Sequence, residues 1–158
     1  MHIAINENHY ITASLLTENS VGDPSVLDDL MDQSGDFDVA MADGAYDGEP
    51  SYKKILDRNP TARIVIPPPK NAVIHTDKSP QRNNHVDIIQ KNGRRAWDKT
   101  NNYGLRSLVE LAMLRHKTII GPKLKARGLA QQKTESNISA RVLNKMTALG
   151  MPVSVLIA

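Results

Sequence analysis

The order of elements along this 158-residue chain predicts an α/β fold. Three observations support that class. Short alternating or apolar runs, each closed by turn residues, read as strands at 2–6, 10–17, 37–42 and 62–66. Helical patterns separate the last three of these strands, and only helical patterns follow the final one. Asp43-Gly44 stands directly after an apolar strand run, at the kind of strand end where α/β sheets gather ligand chemistry.

His2 to Asn6 alternates apolar and polar residues, Glu7-Asn8-His9 is a short turn, and Tyr10 to Thr17 returns as a strand antiparallel to the first. Asn19 to Gly22 is a loop. Asp23-Pro24 opens a helix, with a side-chain cap before a proline at the first helical position, and Val26, Leu27, Leu30 and Met31 carry it to about Gln33. Its acids Asp28, Asp29 and Asp32 form a solvated face. Phe37 to Ala42 is a buried strand ending at Asp43, where Gly44 frees the backbone to turn. Asp47 is read as capping the helix from Gly48 to Asn59, which Pro60 ends. Ala62 to Ile66 is a short strand stopped by Pro67-Pro68-Pro69, whose nitrogens cannot donate to a ladder.

Lys70 to Pro80 is a polar loop and Arg82 to Asn92 a helix. Gly93 leads into the basic run Arg94-Arg95-Ala96-Trp97-Asp98-Lys99, whose tryptophan is read as a packing residue. Tyr103 to Lys117 has helical composition, with Leu105, Leu108, Val109, Ala112 and Leu111 or Leu114 as its apolar contacts. Gly121-Pro122 ends it. Lys123, Lys125 and Arg127 follow on a loop suited to phosphate contact. A last helix from Ala130 to Leu149 shows Ile138, Val142, Leu143, Met146 and Leu149 on one face, with Gly150 as its C-cap and an apolar tail at 153–158.

The length suits one domain with its own core. The absence of cysteine excludes disulfides and thiolate metal sites, and the five histidines show no paired ligand spacing. No apolar run reaches the length of a membrane span and no signal pattern opens the chain, so it reads as soluble and intracellular. The net charge of +3 hides a division. Residues 1–50 hold eleven Asp or Glu and no Lys or Arg, whereas 51–158 hold all twenty basic residues and the other six acids. An acidic part of net −11 and a basic part of net +14 suit either mutual attraction within the fold or a polyanionic partner, and the excess favours nucleic acid.

The stretch Tyr103 to Lys117 concentrates the chemistry. Steps of four from Arg106 to Glu110 and seven from Glu110 to Lys117 place these three within about 40° of arc on an α-helix, with Tyr103 about 60° to one side. One stripe thus carries a phenol, a guanidinium, a carboxylate and an ammonium. A carboxylate among cations suits a divalent ion beside a polyanion, and the plainer reading is an exposed face with an Arg–Glu pair. Asp43 likewise reads either as a ligand at a strand end or as a turn aspartate bonding its own backbone.

The spacing Tyr-x2-Arg-x3-Glu-x6-Lys resembles the signature of DDE transposases of bacterial insertion sequences, in the insertion-sequence-four and -five group, through Tyr103, Arg106, Glu110 and Lys117. Arg106-Ser107-Leu108-Val109-Glu110, the tail Leu143-Asn144-Lys145-Met146-Thr147-Ala148-Leu149-Gly150-Met151-Pro152, and Ala42-Asp43-Gly44-Ala45-Tyr46-Asp47 extend the resemblance over nearly the whole chain. It implies an RNase H-like fold that here lacks its first strand, so that 1–158 is a partial catalytic domain without the N-terminal DNA-binding region. It implies that Asp43 and Glu110 are two of three catalytic, metal-binding carboxylates in a two-ion Mg²⁺ site, and that Tyr103, Arg106 and Lys117 contact transposon-end phosphates. Arg94, Arg95, Lys123, Lys125 and Arg127 add to the DNA-binding set. The implied partners are double-stranded DNA, at insertion-sequence ends and target, with self-association or an upstream transposase fragment, in the bacterial cytoplasm. Asn6 is not the first aspartate. The alternative role is a catalytically dead DNA-binding remnant or regulator of transposition.

Overall fold

A computed structural model of the chain describes residues 1–18 and 20–150. The readings placed on Asn19, on the Asp23 side chain and on residues 151–158 lie outside the described residues. The chain forms two compact units, Met1–Thr17 with Leu108–Ala158, and Glu18–Ser107. The charge division near residue 50 does not coincide with them: the first unit holds eight Lys or Arg against three acids.

In the first unit, β1 (His2–Ile5) pairs antiparallel with β2 (Ile11–Leu15), His2 opposite Leu15 and Ala4 opposite Ala13, with an irregularity between Ala4 and Ile5. Asn6 closes the hairpin: its Oδ1 accepts from the N–H groups of Asn8 (3.1 Å) and Tyr10 (3.0 Å), and His9 turns the chain at φ 66°. The predicted antiparallel pair is therefore present. The long α6 (Leu129–Leu149) packs on β2. Ile11, Ala112, Ala140 and Leu143 form the buried core, with Ile3, Ile5 and Ile120 against it. Small side chains allow the close approach: Ser136 and Ser139 are buried, and Ser136 Oγ lies 3.3 Å from Ser14 Oγ. The expected apolar face of this helix needs correction. Of its five residues only Leu143 is buried, while Ile138, Val142, Met146 and Leu149 are exposed, because the strand selects the small-residue face. Asn144 fastens helix to strand. Its Oδ1 accepts from Ile11 N–H (2.7 Å) and its Nδ2 donates to Ile11 C=O (2.8 Å).

In the second unit, β3 (Val39–Met41) and β4 (Arg63–Val65) pair in parallel, Val39 opposite Arg63 and Met41 opposite Val65. The helices α1 (Leu27–Ser34, after a 3₁₀ turn Asp23–Val26) and α2 (Glu49–Arg58) supply Met31, Tyr52 and Ile55 to a core with Ala62, Ile64 and Ile66. The expected buried strand 37–42 is shorter, and Val39 is exposed. Lys54 and Arg58 of α2 pair with Asp28 and Asp32, so two of the acids read as merely solvated are ion-paired at the surface. The helix α3 (Pro80–Asn92) fastens β4 by the same device as Asn144: Gln81 Oε1 accepts from Ile64 N–H (2.8 Å) and its Nε2 donates to Ala62 C=O (2.9 Å). After α4 (Arg94–Thr100), Asn102 adopts the left-handed conformation. The single helix expected over 103–117 is corrected to three forms: a 3₁₀ turn Tyr103–Arg106, α5 (Ser107–Arg115) and a π-helical turn His116–Ile120. Leu105, Leu111 and Leu114 are exposed rather than packed, and Ala112 alone of the named set is fully buried. Among the described residues no helix is long and apolar enough to cross a membrane.

Replacing Asn144 with Leu keeps the volume but leaves the Ile11 N–H and C=O without their partner. Equilibrium urea unfolding is expected to show a loss of about 1–3 kcal/mol with an unchanged denaturant slope; an unchanged midpoint would remove this bracket from the account of the first unit.

Candidate functional site

Asp43 sits where β3 ends. The Ala42 N–H still bonds Val65 C=O (3.2 Å), extending the parallel pairing to the residue before it. Asp43 then caps the 3₁₀ turn Gly44–Tyr46, its Oδ1 accepting from Ala45 N–H (2.9 Å). A Cβ at Gly44 would meet Pro67 C=O at 3.3 Å, so the turn hugs the end of β4 closely enough to favour glycine. The turn reading of Asp43 therefore holds, and its second carboxylate oxygen stands at a parallel strand end.

That second oxygen meets the motif. Arg106 Nη2 donates to Asp43 Oδ2 at 3.2 Å, and Tyr103 Oη donates to Ala42 C=O at 3.3 Å. In a 3₁₀ turn residues three apart eclipse one another. Tyr103 and Arg106 therefore project together and reach consecutive residues, Ala42 and Asp43, instead of diverging by the 60° of an α-helix. The Arg106–Asp43 side chains are 30% and 36% exposed, so the pair orients the carboxylate more than it stabilises the fold. Burial pushes the Tyr103 phenol above its usual range, with Arg106 opposing and Asp43 adding to the shift.

Behind Tyr103 lies a polar–aromatic stack. Tyr103 packs against Trp97 at 5.1 Å, and Trp97, fully buried, donates from Nε1 to His85 Nδ1 at 2.9 Å. A neutral His85 can then donate from Nε2 to Ile64 C=O at 2.7 Å. Trp97 is thus the packing residue the sequence suggested. Arg94 lies 5.6 Å over its ring and donates to Pro68 C=O at 2.7 Å, so this cation serves the fold, while Arg95 is exposed. A groove of about 570 Å³ runs beside Asp43, lined by Gly44, the prolines 67–69, Arg94, Asp98 and Tyr103.

Asp47 does not cap α2: the cap position is Gly48, and no side chain bonds there. Asp47 instead accepts Arg82 Nε and Nη2 on its two oxygens, both at 2.9 Å, with side chains only 3% and 10% exposed. A residue 35 positions away claims the carboxylate before the local N–H groups can, and a lone sequence carries no signal of it. The pair ties the far end of the Asp43 turn to α3.

In the first unit, Glu110 on α5 and Lys117 in the π-helical turn are exposed. His116 beside Lys117 is buried, and its Nε2 has no hydrogen-bond partner among the described residues. Lys123, Lys125 and Arg127 are all exposed on the loop before α6, as expected. Glu135, which the sequence did not single out, accepts the N–H groups of Lys125 (2.8 and 3.0 Å) and Ala126 (2.8 Å). Those bonds hold its carboxyl below the usual range.

The residues do not fit a two-ion metal site as they stand. Both Asp43 oxygens are engaged, by Ala45 N–H and by Arg106, and among the described residues no three His, Asp or Glu side chains gather.

Two outcomes test the buried charged and titratable groups. Arg82→Ala leaves the Asp47 carboxylate buried and uncompensated, an expected loss of about 3–5 kcal/mol by chemical unfolding, and the double variant Asp47→Ala/Arg82→Ala is expected to lose less than the two single losses added together. Burial holds both His85 and His116 below the ordinary histidine range of 6.5. The folded state therefore binds fewer protons, so stability is full above pH 6.5 and falls as pH drops below it. The melting temperature, followed through the fluorescence of the single tryptophan, is expected to show that slope, and His85→Gln to flatten it.

The sequence model of the family described as the transposase DDE domain matches residues 1–145. No solved structure matches the chain.

Proposed function

Because the chain belongs to the transposase DDE domain family, we propose that it acts in cutting and joining DNA at insertion-sequence ends, with Asp43 and Glu110 as two of the catalytic carboxylates. Transposase DDE domains use a divalent metal ion. The observation that carries the reading is the Asp43 carboxylate at the end of β3, oriented by Arg106 from the Tyr-x2-Arg-x3-Glu spacing. The reaction is phosphoryl transfer: a water or hydroxyl oxygen attacks the phosphorus of a DNA phosphodiester and forms a new P–O bond, one bridging P–O bond breaks, and the departing oxygen takes up a proton in exchange for the one the attacking oxygen loses. In that setting Arg106 holds the Asp43 carboxylate in register, Arg106 and Lys117 offer donors to end phosphates, and Tyr103 joins them where its O–H turns from the Ala42 carbonyl to a phosphate oxygen. Lys123, Lys125, Arg127 and Arg95 are the further DNA-contact set.

Two carboxylates are fewer than a two-Mg²⁺ site needs. The reading therefore includes a third, from a strand outside residues 1–158. The pairing supports it: among the described residues β1 and β3 each have one hydrogen-bonded strand neighbour, and a strand laid along either would satisfy an edge. The engagement of both Asp43 oxygens favours a second role for this chain by itself, a DNA-binding form of the domain that occupies transposon ends without cleaving them.

Residues 1–158 are expected to bind duplex DNA with little sequence preference and a steep fall in affinity with salt, and not to cleave end DNA in Mg²⁺. Adding a segment with an aspartate-bearing strand, fused or in trans, is expected to raise the melting temperature and confer cleavage, which Glu110→Gln abolishes while leaving binding nearly intact. Salt-independent binding would overturn the DNA assignment. Efficient cleavage by residues 1–158 alone, lost on Asp43→Asn, would overturn the need for a third carboxylate from outside.

A further inference from the structure

The loop from Gly121 to Gly128 is the most basic exposed segment of the first unit, and it carries an unusual internal bond. Lys123, Lys125 and Arg127 are exposed, while Leu124 and Ala126 between them are half-buried. The alternation keeps three cations outward along five residues. The segment is itself neither helix nor strand. Side chains from α6 hold it instead. Glu135 accepts the consecutive N–H groups of Lys125 and Ala126 through both carboxylate oxygens, and Gln132 Nε2 donates to Ala126 C=O at 3.0 Å. Gln132 N–H also bonds Gly128 C=O at 2.9 Å, closing the loop onto the start of the helix.

An acid beside three cations would ordinarily pair with them or weaken an anion's approach. Here both oxygens turn to backbone N–H groups, the partners a carboxylate shares with phosphate in concave loop sites. Charge-assisted bonds to backbone N–H are roughly twice as strong as neutral ones. Glu135 thereby fixes the backbone at the middle of the cation series and leaves Lys123, Lys125 and Arg127 directed by a set loop rather than a wandering one. Ordering in advance lowers the entropic cost of binding, which for long cationic side chains on a free loop is substantial.

We infer that Glu135, with Gln132, is a positioning residue that shapes the 121–128 loop into a preformed docking surface for a DNA phosphate backbone. The inference rests on the reading of Lys123, Lys125 and Arg127 as DNA contacts, and it makes an acidic residue necessary for binding a polyanion.

Two variants of equal charge separate position from charge in the full 158-residue chain. Glu135→Gln keeps a carbonyl acceptor for the two N–H groups; Glu135→Ala keeps none. Affinity for a duplex oligonucleotide is measured across a salt series, and hydrogen exchange is followed at the Lys125 and Ala126 amides. The expected result is slow exchange in the unsubstituted chain and in Glu135→Gln, fast exchange in Glu135→Ala, and binding about tenfold weaker for Ala than for Gln, with a salt slope lower by about 1–2 as one or two phosphate contacts are lost. Equal affinities for the two variants, both tighter than the unsubstituted chain, would show that Glu135 acts only as a charge and overturn the inference. Slow exchange that persists in Glu135→Ala would overturn it too. Lys123→Ala/Lys125→Ala/Arg127→Ala tests the reading beneath: if that variant binds DNA unchanged while exchange still depends on Glu135, the loop is anchored as described but is not a DNA contact, and the inference falls for that separate reason.

Discussion

Strand-edge hydrogen bonding is the constraint on which this structure depends. Among the described residues each unit holds a two-stranded sheet, and a two-stranded sheet is marginal in water because each strand leaves one backbone edge outside the ladder. Both units answer in the same way. A helix lays a side-chain amide along the strand, matching donor to C=O and acceptor to N–H: Asn144 at Ile11 in one, Gln81 at Ala62 and Ile64 in the other. His85 adds a bond to Ile64 C=O. These brackets imitate one rung of a further strand. They occupy the edges of β2 and β4, so β1 and β3 are where strand pairing can continue.

The same economy governs Asp43. Its turn is short and exposed, and such turns fluctuate unless their ends are tied. Arg82 holds Asp47 at one end through a buried bidentate pair. Ala42, at the other end, is bonded on its N–H by Val65 and on its C=O by Tyr103. Tyr103 is itself backed by Trp97, His85 and the Ile64 carbonyl. A run of contacts thus leads from the centre of β4 to the backbone beside the carboxylate. A buried pair such as Asp47–Arg82 is a poor source of net stability, and its geometric effect, fixing the turn that carries Asp43, is the better account of its place.

The strands, the helices near 23–34 and 49–58, the antiparallel hairpin and the placement of Asp43 at a parallel strand end were legible in the sequence, since each follows from local periodicity or turn chemistry. Long-range choices were not. Asp47 had a plausible local partner in its own helix, and only the fold brings Arg82 to it. The apolar stripe on α6 obeyed helical spacing, yet β2 took the face of Ser136, Ser139 and Ala140, because a strand bracketed by a short amide needs a close helix. Glu135 lay in a polar stretch where any acid would read as solvated.

The Tyr-Arg-Glu-Lys spacing shows how a pattern read at one helical pitch can differ from its geometry in the fold. Read at α-helical pitch, it is one stripe with Tyr103 set apart. In the fold it crosses three helical forms, and each has its own consequence. The 3₁₀ turn aligns Tyr103 with Arg106, which an α-helix would not, and lets them grip the adjacent residues Ala42 and Asp43. The α-helical part carries Glu110. The π-helical turn places Lys117 on a wider coil, and such turns cluster at functional positions because they reset the phase of a helix at little cost in sequence. The left-handed Asn102 and the cap at Gly121 mark where this run of helical forms begins and ends. A conserved pitch is therefore not what relates the four residues. Their spacing has meaning through the local backbone form at each one, and the Arg106–Asp43 contact follows from the 3₁₀ form of Tyr103–Arg106.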